Sequence, residues 1–350
     1  MAHTDIAVRL MEADTEKSAW NAYIERQGGS FYHQWQWKSL IEKLFGHRCY
    51  YFAALDDDAQ IVGVLPVVNL KSLLFGNYMV SMPYFNYGSV LADSDEIANT
   101  LLEAAIEQGK ANKVSHIQFR DLLPRSYFPE ANTSTGKVNM VLELPESAEA
   151  LGKAIGSKRR SQIKRPLREG VVSKFGHAEL LDDFYYVFSH NMRDLGTPVY
   201  SKKFFAEILQ TFGEAITIAV VYWQDKPVGT GFLVRHGDQM EIPWASTMRY
   251  ANRISVNMFL YWEILQNAIA TGCKTFDFGR SSPDAGTYKF KKQWGAEPVQ
   301  LYWHHWVPEG CDVPDLSPKN AKFDLAIKIW QKLPLKVTTL IGPPLVKNLP

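Results

Sequence analysis

Cysteine is scarce in this chain: Cys49, Cys273 and Cys311 are the only three, each far from the others. That excludes a disulfide scaffold and a local zinc knuckle, and it fits a reduced compartment. Charge of one sign is also missing. Lys and Arg number 38 against 37 Asp and Glu, so no chain-wide field selects DNA or an anionic membrane. No run approaches the roughly 18 apolar residues of a membrane-spanning helix, and Met1 to Trp20 has no signal-peptide core. Several catalytic signatures are absent too: no Gly-x-Ser-x-Gly elbow, no His-Glu-x-x-His and no Walker loop. His304 and His305 are neighbours on an expected strand, so they face opposite sides and cannot hold one metal together. No metal is expected.

What is present is core-forming material. The chain is 46% hydrophobic with 10 Trp, 16 Tyr and 19 Phe, and its 350 residues suit about two domains. The expectation is a soluble, cytoplasmic, two-domain protein.

The two halves echo each other. Cys49 to Leu55, a turn at Asp56-Asp57-Asp58, and Ile61 to Leu70 read as a hairpin. Ile216 to Trp223, Gln224-Asp225-Lys226 and Val228 to Val234 repeat it, each copy opening its second strand on Val-Gly. Asn99 to Lys110 has helical spacing and leads to the strand Ser115 to Phe119 and Arg120; Asn257 to Ala270 leads to Thr275 to Phe278 and Arg280. Two copies of one α+β unit are predicted, with boundaries 1–146 and 147–314. Val138 to Leu144 is placed in the first. Residues 315–350 hold a loop after Pro314, an amphipathic helix from Lys322 to Lys332, and a tail too rich in proline for one long helix.

The segment Phe276 to Gly295 carries the densest chemistry. A buried-looking strand stops at Gly279-Arg280, and Thr287 can cap a short helix bearing Lys289, Lys291 and Lys292. Strand ends beside helix N-termini suit anionic groups. Six cations lie between Lys158 and Arg168, enough to grip phosphates, although such runs are usually solvated faces. Pro166 is expected to take Arg165 out of helical geometry. Arg193, Thr197 and Tyr200 come from a helix-to-turn elbow, while Tyr84, Asn86 and Tyr87 read as a polar-aromatic wall in the first copy.

The Val-Gly hairpin, Asn257-Met258-Phe259-Leu260-Tyr261-Trp262-Glu263, Phe276-Asp277-Phe278-Gly279-Arg280 and Tyr288-Lys289-Phe290-Lys291-Lys292-Gln293-Trp294-Gly295 resemble the FemAB family. Ser81 to Gly88 and Asn191 to Pro198 resemble the branch associated with PEP-CTERM/exosortase and exopolysaccharide loci. The resemblance implies an α+β fold of two tandem GNAT-like (N-acetyltransferase) domains, each a mixed, mostly antiparallel sheet flanked by helices. It also implies a C-terminal helix folded back on the first domain.

The activity implied is transfer of an acyl or aminoacyl group to an amine of a cell-wall, peptide or exopolysaccharide-type acceptor. The donor would be acyl-CoA or aminoacyl-tRNA, attacked directly without an acyl-enzyme. Lys291, Glu241 and Asp277 are the expected catalytic residues. Arg193, Thr197, Tyr200, Tyr84, Asn86, Tyr87 and Arg280 would bind the acceptor; Arg249, Arg253 and Asn257 the donor phosphates. Two features depart from the family. No long helical arm for tRNA is evident, and Arg249 to Ser255 lacks the glycines of the GNAT pyrophosphate loop. A non-catalytic module binding polysaccharide or a synthesis complex is the alternative, and peripheral membrane contact by the tail stays open.

Overall fold

In the computed structural model, residues 6–313 and 321–349 are described. The loop expected after Pro314, and with it the 314/315 boundary, lies outside them. Two compact units are present. The first takes in the chain to Lys137, the segment from Gln300 and the residues from Lys347. The second takes in Val138–Val299 and the helices Ala321–Trp330 and Leu335–Val346.

The first sheet runs, in spatial order, Ala7–Leu10, Arg48–Leu55, Ile61–Ser72, Gly76–Val80, Ile117–Asp121, Tyr302–Trp306 and Thr133–Ser134. Its pairs are antiparallel except Gly76–Val80 with Ile117–Asp121. The helix Asp95–Ala111 is capped by the Ser94 hydroxyl, which accepts from the Ile97 amide. It buries Leu101, Leu102 and Ala105 against Phe52, Leu65 and Phe119 of the sheet. The three residues recur at helical spacing, so this stripe is one the sequence itself dictates.

The second sheet repeats the plan as Glu297–Gln300, Val138–Glu143, Thr275–Ser281, Gln239–Thr247, Lys226–His236, Ile216–Trp223 and Val172–Gly176. Here too a parallel pair lies inside the sheet, Gln239–Thr247 with Thr275–Ser281. One face carries Met240, Ile242 and Phe276 into a core with Phe259, Ile264 and Ile163 of the helices Val256–Ala270 and Gly156–Arg168. Gly231 allows this approach, since a Cβ there would meet Ile242 and Ile264 at 2.9 Å. The other face packs Phe232 and Trp244 on Phe184 and Phe205 of the helices Leu181–Leu195 and Lys202–Phe212. The fold is α+β, two mixed and mostly antiparallel sheets flanked by helices.

Several expectations need correction. Val138–Glu143 follows the first copy in sequence but pairs with Thr275–Ser281 of the second sheet. In return, Tyr302–Trp306 comes after the second copy and pairs with Ile117–Asp121 of the first. Each sheet thus covers one flank of its central strand with a segment from beyond its own repeat, and the boundary falls near 137 rather than 146. The helix Gly156–Arg168 runs straight through Pro166, which is buried on its inner side. Near the helix end a proline forfeits only one hydrogen bond, and packing offsets it. Leu335–Val346 is helical despite Pro343 and Pro344, which fall in its last turn. It belongs to the second unit, where Gly342 lies against Val199, and not to the first. Only the last residues join the first unit, where His47 meets the Lys347 carbonyl oxygen at 2.7 Å and the Tyr78 hydroxyl donates to that of Asn348.

Candidate functional site

The parallel ladder of the second sheet is short. Gln239 faces Thr275, Met240 faces Phe276, Glu241 faces Asp277, and there the pairing stops. Further along, Trp244 to Thr247 pair only with Gly229 to Phe232, while Arg280 and Ser281 pair with Asn139 and Val138. Strands that share three positions and then take other partners leave a fork with unpaired backbone between them. Glu241 and Asp277 stand at its closed end as buried register neighbours on one face, on strands about 4.8 Å apart.

Asp277 is fully buried and held from two sides. Its Oδ1 accepts from the Gly279 amide at 2.6 Å, and its Oδ2 accepts from the Asn139 side chain in a very short contact. The ladder is irregular between Asp277 and Arg280, and Gly279 has φ 75°, a left-handed geometry that frees its amide to turn onto the carboxylate. Lys291 comes from the helix Gly286–Lys292. Its Nζ donates to the carbonyl oxygens of Gly279 at 2.9 Å and Arg280 at 3.0 Å. Burial pulls its pKa down to about 8; the charge of Asp277 acts against that and Arg280 with it. Lys291 is therefore an interior group, not one of three projecting lysines. Lys289 and Lys292 are exposed, the latter paired with Glu297 at 2.7 Å. The helix cap is Ala285, so Thr287 lies inside the helix.

Arg280 and Tyr200 come together on the same face as Asp277. Crowding lowers the Arg280 pKa although the side chain keeps exposed surface, and the neighbouring Tyr200 works the other way. Tyr200 stacks on Phe204 at 4.8 Å, and its carbonyl accepts from the Tyr185 hydroxyl at 3.0 Å. Asn191, from the helix Leu181–Leu195, donates to the hydroxyl of Ser246 on the neighbouring strand at 3.0 Å.

The remaining expected residues are placed differently. Arg193 is bidentate to its neighbour Asp194, through Nε at 3.0 Å and Nη2 at 2.7 Å, so that much of its fork is already engaged. Thr197 is an exposed turn residue whose amide closes the helix end on Met192. Arg249 donates to the Asp194 carbonyl, and Arg253 lies over the Trp223 ring at 5.1 Å. Asn257 opens the helix Val256–Ala270. The loop before that helix is a 3-10 segment, Arg249–Ile254. Its Ala251 amide bonds to the Met248 carbonyl and the Ser255 amide to that of Asn252, at 2.9 and 3.0 Å. Those two amides are spent on carbonyls of the loop itself. Tyr84, Asn86 and Tyr87 belong to the first unit. There the Tyr84 hydroxyl donates to the Lys347 carbonyl, the Asn86 carbonyl accepts from Trp303, and Tyr87 packs on Tyr32.

Asn139, Asn191 and Ser246 were not foreseen. Asn139 sits on a strand that sequence order assigns to the other half, so no local pattern could link it to Asp277. The equivalent position in the first unit explains why only one fork carries acids. There the parallel ladder ends on Val80 facing Gln118, and Gln118 accepts from Arg120 and contacts His305. Among the described residues no cluster of His, Cys, Asp or Glu could hold a metal.

Residues 157–292 match the acetyltransferase (GNAT) domain family. The UDP-N-acetylmuramoylpentapeptide-lysine N(6)-alanyltransferase of Weissella viridescens is 28% identical over 163 residues, 44% of this chain and 48% of that protein. The chain thus spans about half the length of the curated relative it matches. The crystal structure of FemX superposes with a TM-score of 0.65 at 14% identity, covering 84% of this chain and 96% of that one. L-PGS from Bacillus licheniformis gives 0.54 at 14% identity, covering 93% and 96%. A tandem GNAT protein from the clavulanic acid pathway gives 0.50 at 9% identity, covering 89% and 100%. The fold is that of tandem GNAT domains, and the acyltransferase-family segment coincides with the fork.

Proposed function

We propose, from a GNAT domain whose fork holds Glu241, Asp277 and Lys291, that the protein transfers an acyl or aminoacyl group to an amine. The observation that carries this reading is the buried Lys291 ammonium, fixed on the strand-end carbonyls of Gly279 and Arg280 within reach of the Asp277 charge. A neutral amine attacks the ester or thioester carbonyl of the donor, forming a C–N bond and a tetrahedral oxyanion. Two of the three Lys291 N–H bonds are spent on carbonyls, which leaves one to stabilise that oxyanion. Collapse breaks the C–O or C–S bond, the donor carrier leaves, and the amine proton passes to Glu241. Asp277, with both oxygens occupied by donors, keeps Lys291 charged and oriented. Arg280 and Tyr200 hold the acceptor.

The named relative is a lysine N(6)-alanyltransferase acting on a UDP-muramoyl pentapeptide. By likeness we propose an acceptor amine on a peptide or amino sugar of cell-envelope material, whether peptidoglycan or an exopolysaccharide of the resembled branch. A donor with many phosphates suits this chain better than a single pyrophosphate held by loop amides. The helix Gly156–Arg168 exposes Lys158, Arg160, Lys164, Arg165 and Arg168, with no acid along its length. Aminoacyl-tRNA fits that surface; acyl-CoA held through Arg249 and Arg253 is the second choice.

The loop amides spent on the loop's own carbonyls favour the alternative of a non-catalytic glycan-binding module. Thermal shift with acyl-CoA, aminoacyl-tRNA and glycans separates the two, followed by mass spectrometry of a labelled amine acceptor. Transfer from aminoacyl-tRNA, weakening steeply with salt and less so in an Arg160→Glu/Lys164→Glu variant, is the expected result. Stabilisation by glycans alone, with no labelled product from either donor, overturns the enzymatic reading.

A further inference from the structure

The hairpin joining Ile61–Ser72 to Gly76–Val80 turns through Leu73-Leu74-Phe75. Turns this tight are normally built from Gly, Asn, Asp or Ser, which suit both the geometry and the water around them. Only the flanking Ser72 and Gly76, the latter at φ 83°, obey that chemistry. Leu73 is 107% exposed and Leu74 77%, the highest values of any large apolar side chain among the described residues.

The base of the hairpin is nevertheless firmly hydrogen-bonded. Lys71 and Ser72 pair with Asn77 and Gly76, and the Phe75 amide donates to the Ser72 hydroxyl at 3.0 Å. The Asn77 side chain donates to the carbonyls of Asn112 and Lys113, at 2.9 and 3.3 Å, and so fastens the neighbouring turn to the hairpin base. Lys71 and Lys113 are both exposed there, and no salt bridge among the described residues uses either.

We propose that this hairpin is a membrane-contact finger, which inserts Leu73, Leu74 and Phe75 into an anionic lipid surface with Lys71 and Lys113 at the headgroups. The tip stands two to three residues beyond the Lys71 level, roughly 7–10 Å along a strand. That matches the depth of about 5–10 Å to which interfacial elements bury apolar groups. The lysines then lie where anionic headgroups attract cations. Lipid supplies the apolar depth and the negative charge together. A second copy of the chain fits less well, because three side chains fall far short of the roughly 800 Å² per partner of a stable dimer. This inference does not rest on the proposed acyl transfer.

Flotation of the full chain with vesicles tests it, using phosphatidylcholine alone and phosphatidylcholine with about a third phosphatidylglycerol. Weak, reversible binding to the anionic vesicles is expected, like that of a single acyl anchor. Leu73→Asp/Leu74→Asp should lower the partition coefficient roughly a hundredfold, since two leucines lose their apolar burial. Lys71→Glu/Lys113→Glu should abolish the preference for anionic lipid. Neither variant should change the melting temperature, because those side chains are exposed. Leu340→Asp, on an exposed tail residue, should bind as the parent does. The proposal is overturned if the parent fails to float, if the tip variant floats equally well, or if Leu340→Asp is the variant that fails. It is also overturned if the tip governs self-association in sedimentation velocity while no vesicle binding occurs.

Discussion

Lys291 Nζ lies 2.9 Å from the carbonyl oxygen of Gly279, so a side chain of the short helix closes the end of the strand that carries Asp277. The contact makes Lys291 a structural as well as a chemical group. Sequence alone suggests that Lys291→Ala would spare the fold. With the lysine gone, the Gly279 and Arg280 carbonyls lose their donor, at about 1–3 kcal/mol for each buried orphan. Transfer should fall at least a hundredfold and the melting temperature should fall with it, whereas Lys289→Ala and Lys292→Ala should change neither. Equal, modest losses at all three lysines would dissolve the special role of Lys291.

The pH dependence of Lys291 follows from burial. Its pKa is about 8 in the fold against 10.5 for the ordinary side chain. Between those values the unfolded chain binds the extra proton, so stability rises with pH from about 8 to about 10.5. The contribution, at most about 3 kcal/mol, is lost as pH falls through 8. Urea midpoints across that range should flatten in Lys291→Met. Activity should move oppositely, because the charged form is the one proposed to stabilise the oxyanion. The rate should decline above about pH 8, and Lys291→Arg should carry that decline upward by more than one unit.

Asp277 and Asn139 give a test that separates charge from hydrogen bonding. Asp277→Ala strands the Gly279 amide and the Asn139 amide group, and should cost roughly 2–4 kcal/mol by denaturant titration. Asp277→Asn should cost less, because Asn139 has a buried, unpartnered Oδ1 and can rotate its amide to accept instead. Activity should be lost in both. If Asp277→Asn keeps full activity, the carboxylate charge is irrelevant to Lys291.

Acid should act on the first unit through His116 and His305. Both are buried with pKa values lowered to about 4, by burial first and, for His305, also by His116, His304 and Arg120. Each imidazole is neutral in the fold but takes a proton near 6.5 once unfolded. Stability is therefore full above 6.5 and is lost as pH falls towards 4, by at most about 3 kcal/mol per group. His116→Phe should remove about half of that slope in urea midpoints measured between pH 4 and 7. An unchanged slope would place the acid sensitivity elsewhere.

The tail offers a packing test. A Cβ at Gly342 would come 2.9 Å from the Val199 amide nitrogen and 3.0 Å from its carbonyl oxygen. Neither is a side chain that can swing away. Gly342→Val should destabilise by roughly 1–3 kcal/mol, in the range of overpacked cores, while Leu340→Val on the exposed side should be neutral. Comparable melting temperatures for the two variants would mean that the helix is not docked.

The duplication was legible in the chain. Alternating apolar runs, turn residues and helical stripes are local properties, so both hairpins, both long helices and the strands at Arg120 and Arg280 could be read from spacing. Lys291 and Asp277 were also legible as types, through a glycine-broken strand end followed by a lysine-rich helix. Their relation was not. A lysine trio looks alike whether its ammonium groups point to water or to carbonyls, and only packing put Lys291 inside and left Lys289 and Lys292 out.

What the sequence determined by itself is therefore the set of elements and the chemistry carried by each, because propensity and periodicity act over a few residues. Tertiary structure decided which sheet receives Val138–Glu143 and which receives Tyr302–Trp306. A strand's own pattern specifies a half-buried face but not the edge it will pair with, and two near-identical sheets offer two such edges. The same choice brought Asn139 to Asp277 across 138 residues and set the tail helix against Val199. Contacts at that separation are fixed by complementarity of whole surfaces, which no local run of residues encodes.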